Sequence, residues 1–160
     1  MIRTGLGYDS HAFSKGDSIT LGGVKIPHDK GFAAHSDGDV VLHALTDAIL
    51  GAIAAGDIGD HFPPSDEKWK GKNSDHFVRH ACKLMQQKGY RLSNIDITII
   101  AEKPKLMPHK TSIAKSIAEI VKLAEDCVSV KAKTNEKMGF VGRAEGIATL
   151  ANVLIIKQND

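Results

Sequence analysis

The chain has 160 residues, 42% of them hydrophobic and 25% charged, the profile of an ordinary globular protein able to bury its own core. Lysine and arginine number 21 against 19 aspartates and glutamates, a net charge of +2; a nucleic-acid or anionic-membrane surface would call for a dense basic stripe. Disordered, fibrous and collagen-like chains are excluded, and residues 1–160 are expected to form a single domain.

In chain order, residues 2–8 alternate loosely and contain Gly5 and Gly7, which predicts a strand with room for close backbone approach. Residues 19–26 read as a strand or hairpin turning at Gly22-Gly23. From Asp39 the apolar residues Val40, Leu42, Leu45, Ile49, Leu50 and Ile53 recur at helical spacing, and the helix should end near Gly56. Asp37 and Asp39 sit where a helix N-terminus favours negative charge. Residues 57–72 are polar and contain Pro63-Pro64, a loop of functional length. A second helix over 74–88 carries Phe77, Ala81, Leu84 and Met85 on one face and stops at Gly89. Residues 95–101 are the cleanest strand. A third helix follows over 112–124 with Ile113, Ile117, Ile120 and Val121 inward, then strands over 128–133 and 147–156 flank a turn-rich 136–146. Strands alternating with three helices predict an α+β sandwich, helices packed on one face of a mixed sheet.

Cys82 and Cys127 match no metal spacing and read as reduced thiols of a cytoplasmic protein. The N-terminal residues contain no apolar signal segment, and the apolar run at 48–55 is too short to cross a bilayer.

Three segments carry residues suited to chemistry. Asp9 and His11 are two apart on a strand and face one side, and His43 lies on the second turn of the first helix. Two histidines and a carboxylate make a tetrahedral zinc site with one position open, although packed or capped histidines explain the same letters. Asp47, one turn after His43, either orients that ring or makes a surface ion pair. The stretch Ala34-His35-Ser36-Asp37-Gly38-Asp39 offers small residues and free amides for phosphate, or a plain helix cap by Ser36 or Asp37. Lys131 to Lys137, running off a strand, combines lysines, Thr134 and Glu136, which suit phosphate and magnesium but equally a solvated strand end.

Together these segments resemble the 2-C-methyl-D-erythritol 2,4-cyclodiphosphate synthase family. The matching stretches are Gly7-Tyr8-Asp9-Ser10-His11, Ala34 through Val40, Leu42-His43-Ala44-Leu45-Thr46-Asp47-Ala48, Gly56-Asp57-Ile58-Gly59, and Glu136-Lys137-Met138-Gly139-Phe140 with Gly142-Arg143. The resemblance implies an enzyme of non-mevalonate isoprenoid (terpenoid) biosynthesis, a phosphorus–oxygen lyase. It would convert 4-diphosphocytidyl-2-C-methyl-D-erythritol 2-phosphate to the 2,4-cyclodiphosphate and CMP. It implies a homotrimer with active sites between adjacent subunits, one zinc per subunit on Asp9, His11 and His43, and magnesium or manganese bound with the substrate. His35 and Ser36 would meet the phosphates beside the zinc. Asp57, Gly59 and the 62–66 segment (Phe62, Pro63, Ser65, Asp66) would hold the methylerythritol phosphate half, on a mobile loop at 60–71. Ala101 with Pro104, Lys105, Leu106 and Met107 would form the cytidine pocket. Thr134 and Glu136 would serve the neighbouring phosphate and magnesium, with His35, Thr134 and Glu136 as catalytic residues. Phe140 and Arg143 would hold the apolar tail and diphosphate of an isoprenoid diphosphate on the threefold axis. No nucleic-acid or membrane partner is implied.

The sequence departs from the family at Pro64, where some members carry an acid, and at Lys133 and Asn135, which replace threonines; Lys133 adds a candidate phosphate contact. Two other readings share these residues. A zinc-dependent phosphohydrolase would use the same open position to activate water, but no carboxylate is clearly placed as its base. A non-catalytic trimer binding isoprenoid diphosphate is the other.

Overall fold

The computed structural model describes residues 1–34, 36–63 and 65–158. Among these, a five-stranded mixed sheet carries three helices on one face. Strand β1 (Ile2–Ser14) pairs antiparallel with β4 (Gly31–Phe32) on one side and β7 (Gly146–Lys157) on the other. Strand β5 (Tyr90–Ile100) lies antiparallel to β7 and parallel to β6 (Val128–Lys133), giving the order β4-β1-β7-β5-β6. A separate hairpin, β2 (Ser18–Leu21) and β3 (Val24–Pro27), turns at Gly22-Gly23 as expected.

Helix α1 (Val40–Ala52) packs on β1 and β7, α3 (Asp75–Gln87) lies beside it, and α4 (Lys110–Val121) covers β6 as the crossover between the two parallel strands. Sandwiched between sheet and α3, α1 is buried almost all round, from Val40 and Leu42 to Ile49 and Leu50. Alternating Ile95, Ile97 and Ile99 of β5 and Ile147, Ala151, Val153 and Ile155 of β7 meet the helices, with Ile113 and Ile117 of α4 closing the core. The opposite sheet face leaves Ile2, Leu6, Tyr8 and Leu150 exposed.

Several boundaries move. Strand β1 runs to Ser14 instead of Tyr8, because eleven consecutive pairs with β7 carry it through the polar Asp9-Ser10-His11. Strand β5 begins at Tyr90, its alternation interrupted by a register shift between Leu92 and Asn94. The third helix runs from Lys110 to Val121 and stops at Lys122, which adopts a left-handed conformation with φ 58°. Within the polar 57–72 stretch a short helix, α2 (Ile58–His61), forms on a capping box: the Asp57 carboxylate accepts from Asp60 N, and Asp60 from Asp57 N. A second short turn, α5 (Gly139–Gly142), precedes β7.

Asp39, wholly buried, caps α1. Its carboxylate accepts from Leu42 N at 3.0 Å and from Gly22 N and Gly23 N at 2.8 and 2.7 Å, tying the hairpin turn to the helix start. Burial pushes its pKa up to about 6, against those three amides, which pull it down. The cap is therefore Asp39 rather than Ser36 or Asp37.

Candidate metal centre and flanking clefts

The position of α1 is set by two glycines. A Cβ on Gly5 would run into the Ala48 carbonyl, and one on Gly7 into the Ala44 carbonyl one helical turn away. Gly5, Gly7, Asp9 and His11 share one face of β1. The helix that passes over the glycines at backbone contact thus delivers His43, the neighbour of Ala44, above Asp9 and His11.

There, three donor atoms converge. His43 Nδ1 lies 3.2 Å from Asp9 Oδ2 and 3.1 Å from His11 Nε2, and His11 Nε2 lies 3.3 Å from Asp9 Oδ2. A tetrahedral ion with bonds of 2.0–2.1 Å has donor–donor edges of about 3.3–3.4 Å, so the trio fits a zinc-sized ion with little adjustment. Burial holds the His11 pKa below its ordinary value although Asp9 pulls it up, which favours the neutral ring, the form able to bind a metal. Among the described residues, this is the only cluster of three such groups with donor atoms in mutual reach.

On its other edge, His43 Nε2 faces two hydroxyls, Ser74 Oγ at 2.9 Å and Ser36 Oγ at 3.2 Å. Asp47 does neither of the things expected of it. Its carboxylate accepts from Ile58 N at 2.8 Å, fastening α2 to α1. His35 and Pro64 lie outside the described residues.

A cavity of about 360 Å³ opens beside the trio, lined by His11, Ser36, His43 and Gly59 and walled by Ile58, Phe62, Trp69 and Phe77. Phe62 meets Trp69 edge-on at 4.8 Å between ring centroids. Of the expected methylerythritol-pocket residues, the structure brings Gly59 and Phe62 to this lining. Asp57 is engaged as the α2 cap, and Asp66 pairs with Lys68 at 2.8 Å; Pro63 and Ser65 stay off the lining.

A second cleft of about 190 Å³ gathers Ala101, Pro104, Lys105, Leu106, Met107, Lys133 and Thr134, residues distant in sequence but joined by the β5–β6 pairing. It stands at the same end of the sheet as the trio. His11 is opposite Ile147 and Ile100 opposite Ala148, so the two sites are two strand spacings apart, about 10 Å. Thr134 Oγ1 donates to Glu136 Oε1 at 3.2 Å. Glu102, which sequence reasoning passed over, accepts from Asn135 N and Lys137 N at 3.0 and 3.1 Å. It thereby holds a turn in which Glu136 and Lys137 both have positive φ, 51° and 60°. Phe140 is half-exposed on α5, and the Arg143 guanidinium pairs with Glu145 through Nε at 2.8 Å.

Fold and donors define an α+β sandwich in which three side chains able to hold a metal ion converge beside a cleft. The YgbB family matches residues 2–156. The chain is 56% identical over 156 residues to the 2-C-methyl-D-erythritol 2,4-cyclodiphosphate synthase of Xanthomonas campestris pv. campestris (strain B100), covering 98% of this chain and 96% of that one. It is also 56% identical over 156 residues to the bifunctional enzyme IspD/IspF of Paracoccus denitrificans, but spans 98% of itself and only 41% of that protein. The structure of IspF from Plasmodium falciparum in complex with CDP superposes with a TM-score of 0.87 at 40% identity, covering 99% of this chain and 97% of that one. The chain belongs to the YgbB family, whose relatives here are 2-C-methyl-D-erythritol 2,4-cyclodiphosphate synthases and bifunctional proteins that contain one.

Proposed function

We propose that this chain converts 4-diphosphocytidyl-2-C-methyl-D-erythritol 2-phosphate to 2-C-methyl-D-erythritol 2,4-cyclodiphosphate, releasing CMP. The observation that carries the reading is the convergence of Asp9, His11 and His43 beside an open cleft, in a chain 56% identical to a synthase that it covers to 96%. In the reaction an oxygen of the 2-phosphate bonds to the β-phosphorus while the bond from that phosphorus to the CMP oxygen breaks. An ionised phosphate needs no general base. Its difficulty is approach: two unit charges about 4 Å apart repel by ~1 kcal/mol in bulk water and by ~4 kcal/mol at an effective dielectric of 20.

Zinc held by Asp9, His11 and His43, and magnesium or manganese held by Glu136, would offset this charge as Lewis acids. The chain's own groups do the positioning. The cleft at 101–107 suits the cytidine end, with Lys105 and Lys133 at its rim and the Thr134 hydroxyl for the diphosphate. The cavity beside the trio suits the methylerythritol end, with Phe62 and Trp69 excluding water and Ser36, with His35, addressing the 2-phosphate. Holding two reacting groups in line contributes roughly 7–11 kcal/mol when the geometry is right.

The same reading makes residues 1–160 one domain and the assembly a homotrimer with active sites between subunits. The exposed apolar stripe of Ile2, Leu6, Tyr8 and Leu150 on the helix-free sheet face supports burial against other copies. An isoprenoid diphosphate would sit on the threefold axis at Phe140 and Arg143. Unpaired Cys82 and Cys127 support a reducing, cytoplasmic setting.

Phosphorus NMR of the protein with the cytidyl substrate, zinc and magnesium tests the activity. Cyclic diphosphate plus CMP is expected. Linear phosphate products would replace the proposal with a phosphohydrolase, and unchanged substrate on metal-loaded protein with a binding role.

A further inference from the structure

We propose that Ser74 is a positioning residue for the metal centre: its hydroxyl, held by Asp37, accepts the Nε2 hydrogen of His43 and so leaves Nδ1 bare for the metal. The proposal deepens the zinc reading above and rests on it.

Ser74 directly precedes α3, where a serine side chain ordinarily accepts from an amide of the first helical turn. It makes no such bond, and it is wholly buried. Its polar atoms turn instead toward Asp37. The backbone N–H donates to Asp37 Oδ2 at 2.9 Å and the hydroxyl donates to Asp37 Oδ1. Asp37 is itself fixed, since Oδ1 also accepts from Asp39 N at 3.1 Å.

A hydroxyl has one hydrogen. With that hydrogen given to a carboxylate, Ser74 Oγ presents only lone pairs to His43 Nε2, 2.9 Å away. The contact is attractive only when Nε2 carries the proton, and a neutral imidazole carries one. Nδ1 is then the lone-pair nitrogen, and it is Nδ1 that faces Asp9 and His11. Without Ser74 the metal-free site would favour the opposite tautomer, Nδ1–H donating to the Asp9 carboxylate and blocking the metal. Ser36 Oγ, at 3.2 Å, can give or take a hydrogen bond and does not choose between tautomers. The arrangement differs from a nucleophilic triad, because the carboxylate grips the serine and not the histidine, and no proton is drawn from the hydroxyl onto the ring.

The test is zinc affinity by chelator competition, together with nitrogen-15 NMR of the histidine rings. Ser74→Ala should weaken zinc binding about 10–100-fold, the usual loss when the partner of a ligating histidine is removed. Its metal-free form should show His43 moving toward the Nδ1–H tautomer, and Ser74→Thr, which keeps the hydroxyl, should restore most of the affinity. Zinc binding by Ser74→Ala within twofold of wild type would overturn the proposal. So would an Nδ1–H tautomer at His43 in metal-free wild type, a measurement that decides the matter even where the variant fails to fold. His43→Ala separates the two readings. If it too leaves zinc binding intact, the metal centre itself is misassigned; if it abolishes binding while Ser74→Ala does not, only the role of Ser74 falls.

Discussion

Two regions of this molecule are rich in histidine, and they behave differently. At the β1–α1 junction His11 and His43 bring ring nitrogens within 3.1 Å of each other and share Asp9. Around α2 and α3, His61, His76 and His80 gather with Phe62 and Trp69 into an aromatic cluster. There His61 gives its Nε2–H to the Ala55 carbonyl at 2.8 Å, and His80 Nε2 faces His61 Nδ1 at 3.4 Å. No carboxylate joins this second group in ligand reach among the described residues. Eight histidines are therefore no guide to the metal by number. What separates the regions is where each ring's far nitrogen is anchored and whether a charged oxygen completes the set.

The strongest way to break this contrast is His43→Ala, for which the proposed zinc binding and synthase activity should both disappear while the proposed trimer persists by sedimentation; collapse of that assembly would make the centre structural. Next in size, Glu136→Ala should cut turnover at least about 10²-fold, the scale for removing one electrostatic stabiliser, with zinc content by elemental analysis unchanged. Normal turnover at low magnesium would remove Glu136 from its role.

Asp39 comes third. Its folded pKa of about 6 lies above the ordinary value of 3.8, so between these values the folded state binds more protons than the unfolded. The Asp39 contribution to stability therefore rises as pH falls from 7 to 4 and is lost as pH climbs through 6. Denaturant titrations of wild type and Asp39→Asn should show wild type gaining on the variant over that range, by on the order of 3 kcal/mol at most. A flat difference would refute the assignment. Smallest, His61→Ala should leave zinc stoichiometry and affinity untouched and lower stability by about 1 kcal/mol, the net worth of one hydrogen bond. Loss of a bound ion there would erase the contrast between the regions.

Much of this was legible in the residues. The periodicity of Val40 to Ile53 located α1, the pair Gly5 and Gly7 announced close packing, and Asp9, His11 and His43, singled out in the sequence, are the three side chains the fold brings together. The sequence was silent where an element depends on distant partners. Residues 9–14 look irregular alone, and only pairing with β7 up to Ala12 and with β4 at Phe13 and Ser14 makes them strand. Ser74 looks like a helix cap, and nothing near it in sequence points to Asp37, 37 residues away, or to the far edge of His43. Asp47 was misread for the same reason, since its partner Ile58 lies across a turn that follows the helix. Glu102 gave no signal because its work is done on the backbone of residues 135 and 137.

The contact between α1 and the glycines of β1 has a consequence for how the protein fails. Helix and strand touch backbone to backbone, so their separation has no slack, and the same separation fixes the span from His43 to Asp9 and His11. A metal bound there, as proposed, would be a gauge of core integrity. Heat, denaturant or a methyl group inserted at Gly7 would widen that gap and release the ion while most of the secondary structure still stands, making metal loss the first sign of unfolding.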